Sequence, residues 1–112
     1  MGLFHSVSSY PTPYDETNLL AIYSMKREFD YPVGFSDNGG DLLVPQIAVS
    51  LGAKLIEKHF TLNKKMKGLD HQLSANPKQM KELVQKIRKI EEMLGDGIKK
   101  TQKCEKEGLI TI

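Results

Sequence analysis

Apolar and polar positions alternate over three short stretches, Gly2 to Ser8, Val33 to Ser36 and Lys54 to Phe60, and each runs out into polar residues. Alternation is the strand period, because successive side chains point to opposite faces. In the third stretch it puts Leu55, Glu57 and His59 on one face and Ile56, Lys58 and Phe60 on the other. Between and after these stretches the period lengthens to that of a helix face. Leu19, Ile22 and Tyr23, joined by Phe29, make one apolar stripe; Val44, Ile47, Ala48 and Leu51 make a second. Met80, Leu83, Val84, Ile87, Ile90 and Leu94 make the longest, predicted to be buried. Strand followed by helix, three times over, is the pattern of an α/β fold with a parallel sheet.

Local signals set the element ends. Thr12 and Pro13 read as cap and first position of a helix, with Asp15 and Glu16 in its first turn, and Asp30 and Pro32 end it. Pro45 is tolerated only near the start of the second helix, and Gly52 suits its carboxyl-terminal cap. Thr61 to Ala75 reads as a long loop. Asn76, Pro77 and Gln79 form a predicted cap and capping box, and Gly95 and Gly97 end that helix. Residues 98–112 read as a lysine-rich linker or frayed tail after a folded part of residues 1–97.

Three strand–helix units are too few to close a (β/α)₈ barrel, which takes eight and about 250 residues. An open three-stranded parallel sheet leaves two bare edges and needs both faces covered. Self-association, or the rest of a larger fold, is therefore expected. In parallel α/β folds active sites sit at the carboxyl ends of the strands, where this chain places its polar residues, so it reads as a piece of an enzyme.

The 16 basic and 14 acidic residues leave a net charge of +2, too balanced to indicate nucleic acid. A lone cysteine, Cys104, excludes an internal disulfide and fits a reducing compartment. No run is apolar for long enough to span a membrane, and the amino terminus lacks a signal-peptide pattern. A cytoplasmic protein is expected.

At the strand ends, His59 offers an imidazole, and Ser36 and Asn38, which share strand parity, offer a hydroxyl and an amide. Such donors suit a hard or borderline cation, although one histidine and one amide are a thin set by spacing alone. A lone histidine in such a place is more often structural, as His5 inside the first strand is expected to be. Asp37-Asn38-Gly39-Gly40-Asp41 lacks the twelve-residue pattern of a calcium loop and reads as a turn. Tyr10 lies just past the first strand. Lys64, Lys65 and Lys67 read as a solvated cluster, and Asp70, in the same loop, is a candidate for holding a polar substrate.

Ser8-Ser9-Tyr10-Pro11-Thr12-Pro13-Tyr14, Gly34-Phe35-Ser36-Asp37, Leu51-Gly52-Ala53, Ile56-Glu57-Lys58-His59-Phe60-Thr61 and Gly68-Leu69-Asp70-His71 occur in order. Together they resemble the last three strand–helix units of the N-acetylneuraminate (sialic acid) synthase family, which includes legionaminate, pseudaminate and spore-coat polysaccharide synthases. The resemblance covers nearly the whole chain, and Gly97-Ile98-Lys99-Lys100 resembles the family's linker towards an antifreeze-like domain. It implies part of a (β/α)₈ barrel, about the last three of eight units, that condenses phosphoenolpyruvate with an N-acyl amino sugar such as N-acetylmannosamine and releases phosphate. It also implies a divalent metal, Mn²⁺ or Mg²⁺, that polarises the sugar aldehyde. By position, His59 resembles a metal ligand, Ser36 a phosphoenolpyruvate contact, Ser8 and Tyr10 residues of the same pocket, and Asp70 the acid that binds sugar hydroxyls.

The family usually has Ser-Asp-His where this chain has Ser36-Asp37-Asn38, and that histidine is the other metal ligand. An amide oxygen is a poorer ligand than imidazole for manganese, so weakened metal binding is expected. Leu69 stands where the family often has proline. The phosphate- and sugar-binding lysines and acids of the earlier strands are not among these residues, so the isolated chain is expected to be inactive. An alternative is a catalytically inactive barrel remnant that binds sugar phosphates or oligomerises.

Overall fold

Residues 1–108 are described by the structure, a computed structural model, except for the side chains at 69, 70, 107 and 108. Strands β1 (Leu3–Ser6), β2 (Val33–Asp37) and β3 (Leu55–Lys58) form one sheet in that order, with both pairings parallel. His5 lies beside Phe35 and Ser6 beside Ser36; Gly34 lies beside Leu55 and Asp37 beside Lys58. The helices are α1 (Leu20–Glu28), α2 (Leu43–Ser50), α3 (Leu69–Leu73), α4 (Pro77–Leu94) and α5 (Lys103–Gly108).

One face of the sheet is covered. Val33 and Phe35 point into a core with Ile22, Val44, Ala48 and Ala53, and Leu19, Met25 and Ile56 pack on its margin. The other face is open: Phe4 and Leu55, which flank Gly34, are 46% and 47% exposed. The expected alternation thus holds, and it separates a helix-covered side from a bare one.

Most capping signals act as read. Asn76 Oδ1 accepts from Gln79 N–H at 2.9 Å and Gln79 Oε1 from Asn76 N–H at 3.1 Å, closing the capping box of α4. Pro45 sits in the first turn of α2, where it displaces no intrahelical bond. Gly52 follows α2 at φ 107°, a conformation that favours glycine.

Three expectations need correction, and the tail, read as a linker, holds one short helix. Thr12 and Pro13 do not open α1. A single 3₁₀ turn, Tyr14–Glu16, follows them, and Asn18 breaks the helix direction at φ 49°. The cause is an anchor to the sheet: His5 Nε2 donates to Thr17 O at 2.9 Å, so the chain is pinned there and coils only afterwards. This is also the structural role expected of His5. The segment 61–75 is not wholly loop, since it holds α3, and its ends are clamped together. Thr61 N–H donates to Ala75 O and Ala75 N–H to His59 O, both at 2.9 Å. The tail contains α5, begun by Gln102 N–H donating to Glu105 Oε2 at 3.0 Å. Finally, only Leu83 of the α4 stripe is fully buried, because α4 packs chiefly against α2; Val84 and Leu94 are about half exposed.

The radius of gyration is 17.3 Å, against about 13 Å for a compact domain of this size.

Gly34 is where the open face closes tightest. A Cβ there would lie 2.7 Å from Phe4 Cε1 and 2.9 Å from both Leu55 Cβ and Leu55 O. The Phe4 ring can swing away; the Leu55 backbone cannot. Gly34→Ala is expected to destabilise the fold by about 1–3 kcal/mol, read as a lower midpoint in urea unfolding.

Candidate functional site

The β2–β3 ladder ends at Asp37 and Lys58, which leaves Asn38 and His59 as the next residues on neighbouring strands. Asn38 Nδ2 donates to Val7 O at 2.8 Å and to Ser6 Oγ at 3.3 Å. A carbonyl can only accept, so this bond fixes which end of the amide faces β1, and Oδ1 turns the other way. It meets His59 Nε2 at 3.2 Å. The Tyr10 ring stacks on the His59 ring, centroids 4.4 Å apart and planes 24° from parallel. Thr12 N–H donates to Asn38 O at 2.9 Å and ties the segment carrying Tyr10 to the end of β2. Tyr10, Asn38 and His59, one from beyond each strand, therefore share one place.

The other candidates stand at different distances from it. Ser36 lies one layer down on the open face, where its Oγ donates to Glu57 Oε1 at 2.7 Å. Ser8 is exposed, and the structure does not join it to the cluster. Asp70 belongs to α3, but its side chain lies outside the described residues. Lys65 and Lys67 are exposed, as read. Gly39 N–H donates to Asp37 Oδ1 at 2.7 Å, so the expected turn is a side-chain-closed one.

Two polar pairs were not singled out in the sequence. Lys58 Nζ reaches Asp37 Oδ2 at 2.9 Å, and the two side chains are only 3% and 1% exposed. A charge on the helix-covered face of a strand requires a partner, which is the signal that Lys58 carried. Its partner could not be chosen without the strand register. Thr61, itself buried, shares a 2.7 Å hydrogen bond between its Oγ1 and His71 Nδ1, which braces the clamped loop beside His59.

Among the described residues no group of three or more His, Cys, Asp or Glu side chains is placed to hold a metal. The pair at the strand ends nevertheless has the chemistry of half a site. Two adjacent ligands of an octahedral ion at about 2.1 Å each stand about 3.0 Å apart, close to the 3.2 Å between Asn38 Oδ1 and His59 Nε2. Because Oδ1 only accepts, Nε2 carries the proton in their hydrogen bond, and a cation between them would take that proton's place.

Residues 1–99 match the model of the NeuB family, and the chain belongs to that family. It is 50% identical over 108 residues to an uncharacterized protein of Methanocaldococcus jannaschii, covering 96% of this chain and 32% of that one. It is 45% identical over 107 residues to the N,N'-diacetyllegionaminic acid synthase of Campylobacter jejuni, again 96% of this chain and 32% of the other. The crystal structure of the N-acetylneuraminic acid (sialic acid) synthetase of Leptospira borgpetersenii, in complex with citrate, superposes with a TM-score of 0.90 at 37% identity over 98% of this chain and 39% of that one. The chain spans about a third of the length of the curated relatives it matches.

The loops that follow β1 and β2 are also joined at the surface, where Tyr14 donates its phenolic hydrogen bond to Asp41 Oδ2. That bond, with the carboxylate's charge beside it and slight desolvation, raises Tyr14 above the ordinary tyrosine range. A raised value means that the bond favours the protonated phenol. Its contribution is whole below about pH 10 and fades as Tyr14 ionises above that. In a spectrophotometric alkaline titration of the four tyrosines, one is expected to ionise late, and Asp41→Asn should bring it back among the others.

Proposed function

We propose that this NeuB-family chain supplies three consecutive units of a (β/α)₈ barrel synthase that condenses phosphoenolpyruvate with an N-acyl amino sugar such as N-acetylmannosamine. In this reading residues 1–97 are barrel and residues 98–112 lead out of it. The observation that carries it is the meeting of Tyr10, Asn38 and His59 at the carboxyl ends of parallel strands, the end at which barrel enzymes react. The likeness to a sialic acid synthetase and a diacetyllegionaminic acid synthase supports the reaction class.

His59 Nε2 and Asn38 Oδ1 are the groups that would hold a divalent ion, manganese or magnesium. When bound, such an ion supplies Lewis acidity to a carbonyl oxygen. The rest falls to the chain's own side chains. Tyr10 fixes the plane of the His59 ring by stacking on it. Asn38 is oriented by Val7 O. Ser36 has one proton and gives it to Glu57, so donating to the anionic phosphoenolpyruvate requires that Ser36 release Glu57. Ser8, exposed beyond the end of β1, is assigned to the same pocket, and Asp70 to the sugar hydroxyls.

A second reading is favoured by one observation: Asn38 stands where the resemblance leads one to expect histidine. In that reading the chain binds sugar phosphates or oligomerises without catalysis, through the exposed Phe4 and Leu55 of the bare sheet face. Among the described residues no helix is long and apolar enough to cross a membrane.

Manganese titrated into the chain is expected to bind through His59. His59→Ala should abolish the binding isotherm, and Asn38→His should tighten it. Equal binding by wild type and His59→Ala removes His59 from the ligand set. Given phosphoenolpyruvate, N-acetylmannosamine and manganese, the 112-residue chain alone is expected to release no phosphate, because three units of a barrel do not enclose its substrates. Steady phosphate release by the purified chain overturns the sector reading.

A further inference from the structure

We propose that the buried Asp37–Lys58 ion pair is a positioning device that holds the ends of β2 and β3 so that Asn38 Oδ1 and His59 Nε2 meet. The proposal rests on the reading of those two atoms as the cation-holding pair. Neither Asp37 nor Lys58 touches the site itself. Both point to the helix-covered side, while Asn38 and His59 lie on the open one.

The placement makes the case. Backbone pairing between β2 and β3 stops at Asp37 and Lys58. Beyond that rung no ladder bond fixes where Asn38 stands relative to His59. On the last paired rung the ion pair ties the two strands side chain to side chain, 2.9 Å apart. It also reaches past the rung: Lys58 Nζ contacts Gly39 O at 3.3 Å, and Asp37 Oδ1 accepts from Gly39 N–H at 2.7 Å. Asn38 is thus bracketed, since the residues on either side of it are both bound to Lys58. On the other strand, His59 directly follows Lys58, and its carbonyl is held by Ala75 N–H at 2.9 Å.

Energetics point the same way. Two charges that are nearly water-free cost desolvation that their attraction barely returns, and an apolar pair of similar volume is often as stable or more so. Stability alone does not explain the pair. What charged hydrogen bonds supply and methylenes do not is direction: they set the translation of one strand end against the other. A shift of about 1 Å there would part a donor pair that stands 3.2 Å apart.

The test replaces the pair without leaving a lone buried charge. Asp37→Leu with Lys58→Met removes both charges. Asp37→Asn with Lys58→Met does the same and keeps the acceptor for Gly39 N–H, which guards against loss of folding. Lys58→Arg keeps the ion pair. Two quantities are read on the full chain: manganese affinity, and the ring-current displacement of the His59 proton resonances by Tyr10. Both neutral variants are expected to remain folded, to weaken manganese binding about 10–100-fold, and to lose the His59 displacement. Lys58→Arg should keep both near wild type. A folded neutral variant with wild-type His59 resonances and wild-type affinity overturns the proposal. If wild type itself binds no manganese, the cation reading falls, and the His59 resonances alone decide whether the pair positions the ring.

Discussion

Parallel pairing in a single register is the constraint from which the rest follows. When neighbouring strands run the same way with no slip, their carboxyl ends finish level, and whatever follows each strand emerges at one end of the sheet. Asp37 lies beside Lys58, so Asn38 and His59 emerge together. The chain after β1 is drawn over them by the bond from Thr12 N–H to Asn38 O. A one-residue slip would exchange the two faces of a strand, moving His59 to the covered side and Lys58 to the open one. Register between β2 and β3 is protected because their covered positions are apolar except at the last rung, where the Asp37–Lys58 pair sits.

The two faces of the sheet meet different demands. The covered face is built from β-branched and aromatic side chains against short helices, and its size is limited by α1 and α2. The bare face graduates from apolar to polar along the strands: Phe4 and Leu55 around Gly34, then the Ser36–Glu57 bond, then Asn38, His59 and Tyr10. Such a gradient runs from a packed end of the sheet to a polar one. The flank of α4 is bare too, and its Val84 and Leu94 lack cover in the same way.

Periodicity made the strand faces and the α4 cap readable, because both depend only on neighbours in sequence. The alternation of Leu55, Glu57 and His59 needed no partner to be seen, nor did the Asn76–Gln79 box. What escaped reading depends on contacts far along the chain. Thr12-Pro13 has the composition of a helix start, but the bond from His5 to Thr17 O overrides it from twelve residues away. The α4 stripe announces burial without saying what will cover it. Lys58 announced a need for a partner, and only the register named Asp37. Among the site residues, His59, Asn38 and Tyr10 converge as their strand-end positions imply. Ser36 takes a partner, Glu57, that lies on the expected face but was not marked as chemical.

The amide at Asn38 is consistent with its setting in a way that composition alone does not show. A ligand at this position needs two contacts, one to fix its orientation and one to face the ion. Val7 O supplies the first by accepting from Nδ2, which leaves Oδ1 towards His59. An imidazole could use the same acceptor through one ring N–H and present its other nitrogen, the arrangement that backbone carbonyls commonly impose on ligating histidines. The carbonyl of Val7 therefore serves either residue, and exchanging them changes the donor more than the geometry. Imidazole nitrogen suits manganese- and zinc-like ions, whereas an amide oxygen is a harder donor that suits magnesium. Were a cation held at the proposed site, the amide would favour magnesium over manganese more than an imidazole would, while leaving the place where the cation would sit.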